Sequence, residues 1–550
     1  MAHPLHVAFV WHMHQPCYRD LATGTCDMPW VRLHAAKDYV DMVERLAAFP
    51  KIHQTVNVVP SLIDQLEEYL PPANRTDAFL ELSRKEAGAL SNTDHRFILR
   101  WFFMAHLERM IKPFPRYYDL LAKRGLAVPE NAWGDVMQRF RTEDYLDLQA
   151  LFNLVWIDPW LRRQDPELAR LEGKGGQFTE AEKHYILDQH LKLIGRVIPT
   201  YRAAADRGQI ELTTSPYFHP IMPLLCDTRS ARAGLPDAPL PEPGFRHPED
   251  ARWHLQEALR RHAVAFGRPA RGVWPSEGSV SEEAAAIACE AGVGWIATDE
   301  EILWRTLKTG RNPAALYRPH AIQQPAGRLA IVFRDRELSD LLGFVYSRWE
   351  PKAAAADFLK RLEGIQRQTE GFARPPLVSI ILDGENAWES YPNDAHEFFT
   401  ELYAGLSRSD RIACVTVSEY LDRYPLDGEP PLPGLFPGSW IDGNFATWIG
   451  HPQKNAAWSR LADARQALDN ADRGGPGWRS LGAAEGSDWF WWFGDTHFSL
   501  QADDFDRLFR THVSNAYRGA GLAVPEALNR PIRTAAARTP RSAGEWSPAV

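Results

Sequence analysis

The run Leu377-Val378-Ser379-Ile380-Ile381-Leu382, apolar but for its serine, breaks off into Asp383-Gly384-Glu385-Asn386-Ala387-Trp388-Glu389. A short apolar run that stops at Asp-Gly reads as a buried strand ending in a turn. In α/β enzymes that end of a strand is where active sites are built. A second stretch has the same construction. Gly272-Val273-Trp274 leads through Pro275 and Ser276 to Glu277-Gly278-Ser279. Two strand-end carboxylates, each beside tryptophan, point to acid and base work on a sugar.

Similar runs recur outward from these two. Leu5–Trp11, Gln54–Val59, Gln209–Thr213, Gly294–Ala297, Leu329–Phe333 and Ala413–Val417 each read as a strand, most of them leading into helical periodicity. After Gly272–Trp274, Ser279 and Ser281 are candidate N-caps for an Ala-rich helix with Glu282 and Glu283 in its first turn. Strand-then-helix repetition predicts a parallel α/β barrel or doubly wound sheet. The segment between Leu70 and Ile198 carries helical pattern and few strand signals, so it reads as an insertion. The proline-rich stretch Pro425–Pro437 reads as a boundary. Beyond it, Ala456–Ala471 and Asp503–Ala520 have helical spacing, and 531–550 reads as a disordered tail.

The 550 residues suffice for a large catalytic domain and a second one. Lys and Arg total 62 against 71 Asp and Glu, a formal charge of −9, which offers nothing to nucleic acid or an anionic membrane. Five scattered cysteines without a CxxC pair favour neither a disulfide framework nor a zinc-finger-type site. No apolar stretch reaches spanning length and the first ten residues lack a signal-peptide pattern, so a cytoplasmic protein is expected. The 20 tryptophans are the compositional outlier, and an indole face suits the apolar face of a pyranose.

Four segments carry candidate chemistry. In Trp11-His12-Met13-His14-Gln15-Pro16, alternation on a strand puts His12 and His14 on one face, able to donate to sugar hydroxyls or to bind a metal. Glu277 sits directly after a strand, before a glycine that permits close approach. Asp383 is the innermost acid of its motif, leaving Glu385 and Glu389 as binding or supporting groups. The aromatic segments Gly438–Phe445 and Asp488–His497 place Trp440, Asp488 and Trp489 where rings and polar groups alternate, as on a carbohydrate surface.

Taken in order, these motifs resemble glycoside hydrolase family 57 from His12 to about Ala527. His14-Gln15-Pro16 is similar to the first signature of that family, Gly208–Thr213 to the second, and Trp274-Pro275-Ser276-Glu277 to the third, which carries the nucleophile. Asp383-Gly384-Glu385-Asn386 is similar to the fourth, which carries the acid/base, and the Asp488-Trp489 block is the candidate fifth. The wording is most similar to the amylopullulanase and α-amylase branch, more than to the branching enzymes.

The resemblance implies an incomplete TIM-like (β/α)7 barrel over 1–424 with a helical insertion at about 70–198. A C-terminal helical bundle over 425–530 would complete the cleft. One of the eight strand candidates, with Ala413–Val417 the first choice, would then lie outside the barrel. It implies a retaining enzyme on an α-glucan or maltooligosaccharide, with Glu277 as nucleophile, Asp383 as acid/base and no metal or other cofactor. His12, His14, Gln15, His219, Glu385, Trp388 and Asp488 would bind substrate, with Trp274, Trp440 and Trp489 as stacking walls. The alternatives are a 4-α-glucanotransferase using the same residues and a non-catalytic glucan-binding protein. A metal-dependent hydrolase related to α-mannosidases or deacetylases would use His12 and His14 with an Asp, but no His-x-His-x-Asp cluster is present.

Overall fold

The computed structural model describes residues 3–534; the remainder of the expected tail, from 535 on, lies outside the described residues. Nine strands form one sheet: β1 (Leu5–Met13), β2 (Gln54–Val58), β3 (Ile210–Thr213), β4 (Gly272–Val273), β5 (Trp295–Asp299), β6 (His320–Gln324), β7 (Gly327–Arg334), β8 (Leu377–Asp383) and β9 (Ile412–Cys414). Seven of them follow the order β3-β2-β1-β8-β7-β5-β4, all parallel. A parallel bridge between Thr214 and Val273 joins the two ends. The sheet is thus curled into a nearly closed seven-stranded barrel with helices around it. Along the seven-strand path the loosest pairing is β7–β8, in register only at Arg334 and Ser379.

All eight stretches read as strands are strands. The one expected to stand apart, Ala413–Val417, supplies β9, which pairs with Leu5–Val7 of β1. β2 pairs with Val10–Met13 of β1, so β9 takes the lower part of β1 and stays off the seven-strand path. The strand not anticipated is β6, antiparallel to β7. Its sequence, His320-Ala321-Ile322-Gln323-Gln324, is too polar to read as a buried strand.

Alternation along β1 divides the core. Val7, Phe9, Trp11 and Met13 face outward into the large core shared with the helices. Ala8 and Val10 face inward with Trp274, Trp295, Ala297, Val332 and Ile381, a small plug that fills the barrel. The plug needs Gly272: a Cβ there would lie 2.0 Å from the Trp295 ring. Below the plug, Glu211 is held by Ser418 and by the indole of Trp295, which donates at 3.0 Å.

Between β2 and β3 the chain is helical, from Ala78–Arg84 to the long helix Glu180–Asp206, whose start is fixed by a Thr179–Glu182 capping box. After Pro437 it is helical again, with Pro452–Ala467, Pro476–Ala484, Asp488–Trp491 and Ala502–Gly519. Ile532 is buried and its backbone N–H donates to Asp506 at 3.1 Å, so the described start of the expected tail is packed. Among the described residues no helix is long and apolar enough to cross a membrane.

Candidate active site

The C-terminal ends of the barrel strands bring most of the sequence candidates together. His12 and Asp383 are register partners on β1 and β8. His12 Nδ1 lies 2.7 Å from Asn57 Oδ1 on β2. That oxygen can only accept, so His12 Nδ1 donates and Nε2 is left as a lone pair with no partner among the described residues. Burial, and then the neighbouring His14, push the His12 pKa down to about 3, so the ring is neutral. His219, after β3, stacks on both: ring centroids are 4.9 Å from His12 and 3.9 Å from His14. Burial also holds His219 well below the ordinary histidine range.

Glu277 follows β4 in a short turn. Its backbone is left-handed, φ 58° and ψ 26°, a conformation a non-glycine residue holds only when its surroundings enforce it. The enforcement is visible: Trp440 N–H donates to Glu277 O at 3.1 Å. Thr298 Oγ1 donates to Gly278 O at 2.6 Å. Gly278 is itself left-handed, φ 57°, and a Cβ there would lie 2.9 Å from the Trp274 ring. His219 is a second left-handed residue, φ 58°.

Two indoles hold the Glu277 carboxyl: Trp440 Nε1 donates to Oε2 at 2.9 Å and Trp491 Nε1 to Oε1 at 3.4 Å. His219 Nδ1 is 3.9 Å from Oε1. Burial first, then the charge of Asp383, push the Glu277 pKa up to about 8, against the two indoles. Burial raises Asp383 as well, while His14, Asn386 and Arg334 pull it back. The charge of Asp383 thus resists ionisation of Glu277.

The second tier is equally connected. Glu385 Oε1 accepts from Gln15 Nε2 at 2.8 Å and from the His14 backbone N–H at 3.3 Å. Gln15 Oε1 accepts from Tyr18 at 3.0 Å. His14 Nε2 lies 2.8 Å from Asp488 Oδ1, so the C-terminal helices reach into the barrel mouth. Arg334, from β7, lies over the Trp440 ring at 5.4 Å and pairs with Asp299 of β5 at 3.3 Å.

Two tryptophans do not join the site. Trp388 packs edge-on against Trp11 and Phe399 in the outer core, its indole N–H tied to Gly384 O at 2.7 Å. Trp489 is buried against Phe505 and His512, and donates to Ala483 O. The correction at Trp489 is one of helical phase. In the turn Asp488–Trp491, positions i and i+3 share a face, so Asp488 and Trp491 meet the site while Trp489 and Phe490 enter the core. Trp274 stands beneath the site, fully buried, 5.3 Å from Trp440. Trp491, Asn57 and Arg334 were missed. The spacing from Asp488 could have found Trp491, and the strand-end positions of the other two could have marked them.

His14, His219 and Asp488 each offer a ligand atom within 4.8 Å of the others, the partner acid a metal site would need. Yet His14 and His219 lie face to face, 28° between planes, so their in-plane lone pairs run side by side rather than to one point.

The curated relative that matches is an alpha-amylase of Pyrococcus furiosus, 21% identical over 237 residues, 43% of this chain. The match spans about a third of that relative, 31% of its length. Among solved structures, the GH57 branching enzyme of Thermococcus kodakaraensis superposes with a TM-score of 0.57 at 15% identity, covering 93% of this chain and 89% of that one. The 4-alpha-glucanotransferase of Thermococcus litoralis gives 0.53 at 14% identity, covering 94% of this chain and 60% of that one. The sequence profile of glycosyl hydrolase family 57 matches residues 8–433, well over half of the chain. The chain belongs to glycosyl hydrolase family 57 and is a glycoside-active enzyme.

Proposed function

We propose that this protein is a retaining glycoside hydrolase on α-glucans, of amylopullulanase or α-amylase type, cleaving α-1,4 and/or α-1,6 bonds. Glu277 is the nucleophile and Asp383 the acid/base. The observation that carries this reading is geometric: the buried Glu277 carboxyl is gripped by two indole N–H groups after β4, and Asp383 ends β8 as the register partner of His12. Indoles donate and never accept, so they favour ionised Glu277. Asp383, in an environment that raises its pKa, protonates the leaving oxygen and then takes the proton of the incoming water. The free nitrogens of His12 and His219 receive sugar hydroxyls. The names of the three relatives support the α-glucan class.

Glu277→Gln is expected to lose at least about 10³-fold in kcat, the range in which removal of a nucleophile falls. Azide should restore turnover to Glu277→Ala or Asp383→Ala, releasing a glycosyl azide. Substantial activity in Glu277→Gln would overturn the assignment. Incubation with pullulan, amylose and maltotetraose, with products resolved by chromatography, reads the bond cleaved.

A second reading, 4-α-glucanotransferase, draws support from the roof over Glu277. The residue is 8% exposed beneath Trp440 and Trp491, which favours a sugar acceptor over bulk water. Maltotetraose giving both longer and shorter oligosaccharides would select it. A non-catalytic glucan-binding protein would bind maltooligosaccharide and release nothing.

A further inference from the structure

The loop that leaves β8 carries an acid for which the proposed reaction has no use. Glu389 is 4% exposed, and its Oε2 has no hydrogen-bond partner among the described residues. The charges bearing on it are Lys37, Asp38 and Asp394. Around it Asp38, Asp41, Asp158 and Asp394 are all buried. Lys37 pairs with Asp38 and with Asp394, Arg45 pairs with Asp41, and Arg162 at the margin gives its charge to Glu172. Five buried carboxylates thus face two cations, an arrangement that is costly without compensation by protons or a further cation.

Three of the acids indicate which. Asp41 Oδ2 is taken by Arg45, Asp158 Oδ1 by the Leu161 N–H at 2.8 Å, and Asp394 Oδ1 by Lys37 at 3.0 Å. Each leaves its other oxygen unpartnered among the described residues: Asp41 Oδ1, Asp158 Oδ2 and Asp394 Oδ2. One oxygen from each of the three lies within 4.8 Å of the others. Oxygens held at about 2.4 Å from a common centre, the calcium distance, are at most about 4.8 Å apart. The donors are hard oxygens only, which selects against zinc and copper. A cavity of about 1150 Å³ reaches Lys37, Glu389 and Asp394, a path by which an ion and its waters can enter.

We propose that Asp41, Asp158 and Asp394, with Glu389 adding charge beside them, bind a hard divalent cation of calcium size. The cation joins the helix Val40–Glu44 and the turn before Pro159–Gln164 to the loop that follows Asp383. The site stands whatever bond the enzyme cleaves.

The full chain, dialysed against EDTA, is titrated with Ca²⁺ and with Mg²⁺ by calorimetry and by thermal melting. One Ca²⁺ per chain is expected to bind, more tightly than Mg²⁺, and to raise Tm by about 3 °C or more at saturation. Asp158→Asn keeps an oxygen for the helix cap and removes the charge; it should weaken Ca²⁺ binding at least tenfold, as should Glu389→Gln. The proposal is overturned if the wild type binds no Ca²⁺ at millimolar concentration. It is overturned equally if Asp158→Asn binds Ca²⁺ as the wild type does. A Tm indifferent to Ca²⁺ that falls steadily from pH 5 to 8 would assign the compensation to protons instead.

Discussion

Trp440 performs three tasks at once, and they can be separated by substitution. Its backbone N–H fixes the left-handed Glu277, its ring lies under Arg334, and its indole N–H donates to Glu277 Oε2. Trp440→Phe removes only the last. A hydrogen bond to an ionised group contributes about 1.5–3 kcal/mol, so kcat should fall roughly 10- to 100-fold. Because the lost donor favoured ionised Glu277, its pKa should rise, and the acidic limb of the kcat profile should move to higher pH. Unaltered pH dependence in Trp440→Phe would mean that the indole does not act on the carboxyl.

At the level of elements, the barrel interior is set by one glycine. Gly272 of β4 leaves the space that Trp295 of β5 fills, so Gly272→Ala forces a bulky ring out of a closed plug. Overpacking of this kind costs about 1–3 kcal/mol, and a contact of 2.0 Å against a buried indole belongs at the upper end. Gly310, where a Cβ would meet nothing within 4 Å, provides the control; Gly310→Ala should melt within about a degree of the wild type. A Gly272→Ala protein as stable as the wild type would show that the plug can repack.

The same elements show what a sequence displays. Apolar runs announced eight strands because parallel barrel strands are buried on both faces. β6 escaped because an antiparallel excursion can be half polar. His12, His14, Glu277 and Asp383 were legible because strand ends concentrate them. The difference between Trp489 and Trp491 was not, since within an unbroken aromatic run only helical phase separates core from site. Nor was the left-handed backbone of His219 and Glu277, which is imposed by partners distant in sequence.

For the whole molecule, buried titratable groups set the pH range of stability. His190, His254 and His512 are fully buried, and burial pushes their pKa values down to about 3, 3 and 4. Below 6.5 the unfolded chain takes up protons that the native one refuses, so stability is complete above pH 6.5 and drains as pH falls toward 4. Burial pushes Glu277 and Glu485 the other way, both up to about 8. They contribute stability at low pH that is lost as pH rises from about 4.5 through 8. Each group acts with a slope of up to about 1.4 kcal/mol per pH unit. His190→Gln, which removes one such group, should therefore lose less Tm than the wild type on acidification from pH 6.5 to 5; an unchanged slope would contradict this.

The pair His14–Asp488 spans 474 positions of the chain, and this gives the enzyme a birth order. At about 5–20 residues per second of synthesis, roughly half a minute or more passes between the first histidines leaving the ribosome and the arrival of Asp488 and Trp491. Throughout that interval the nascent chain owns both carboxyl motifs for only part of the time and the indole of Trp491 for none of it. The polypeptide must therefore extend past Trp491 before the contacts around His14 and Glu277 are complete.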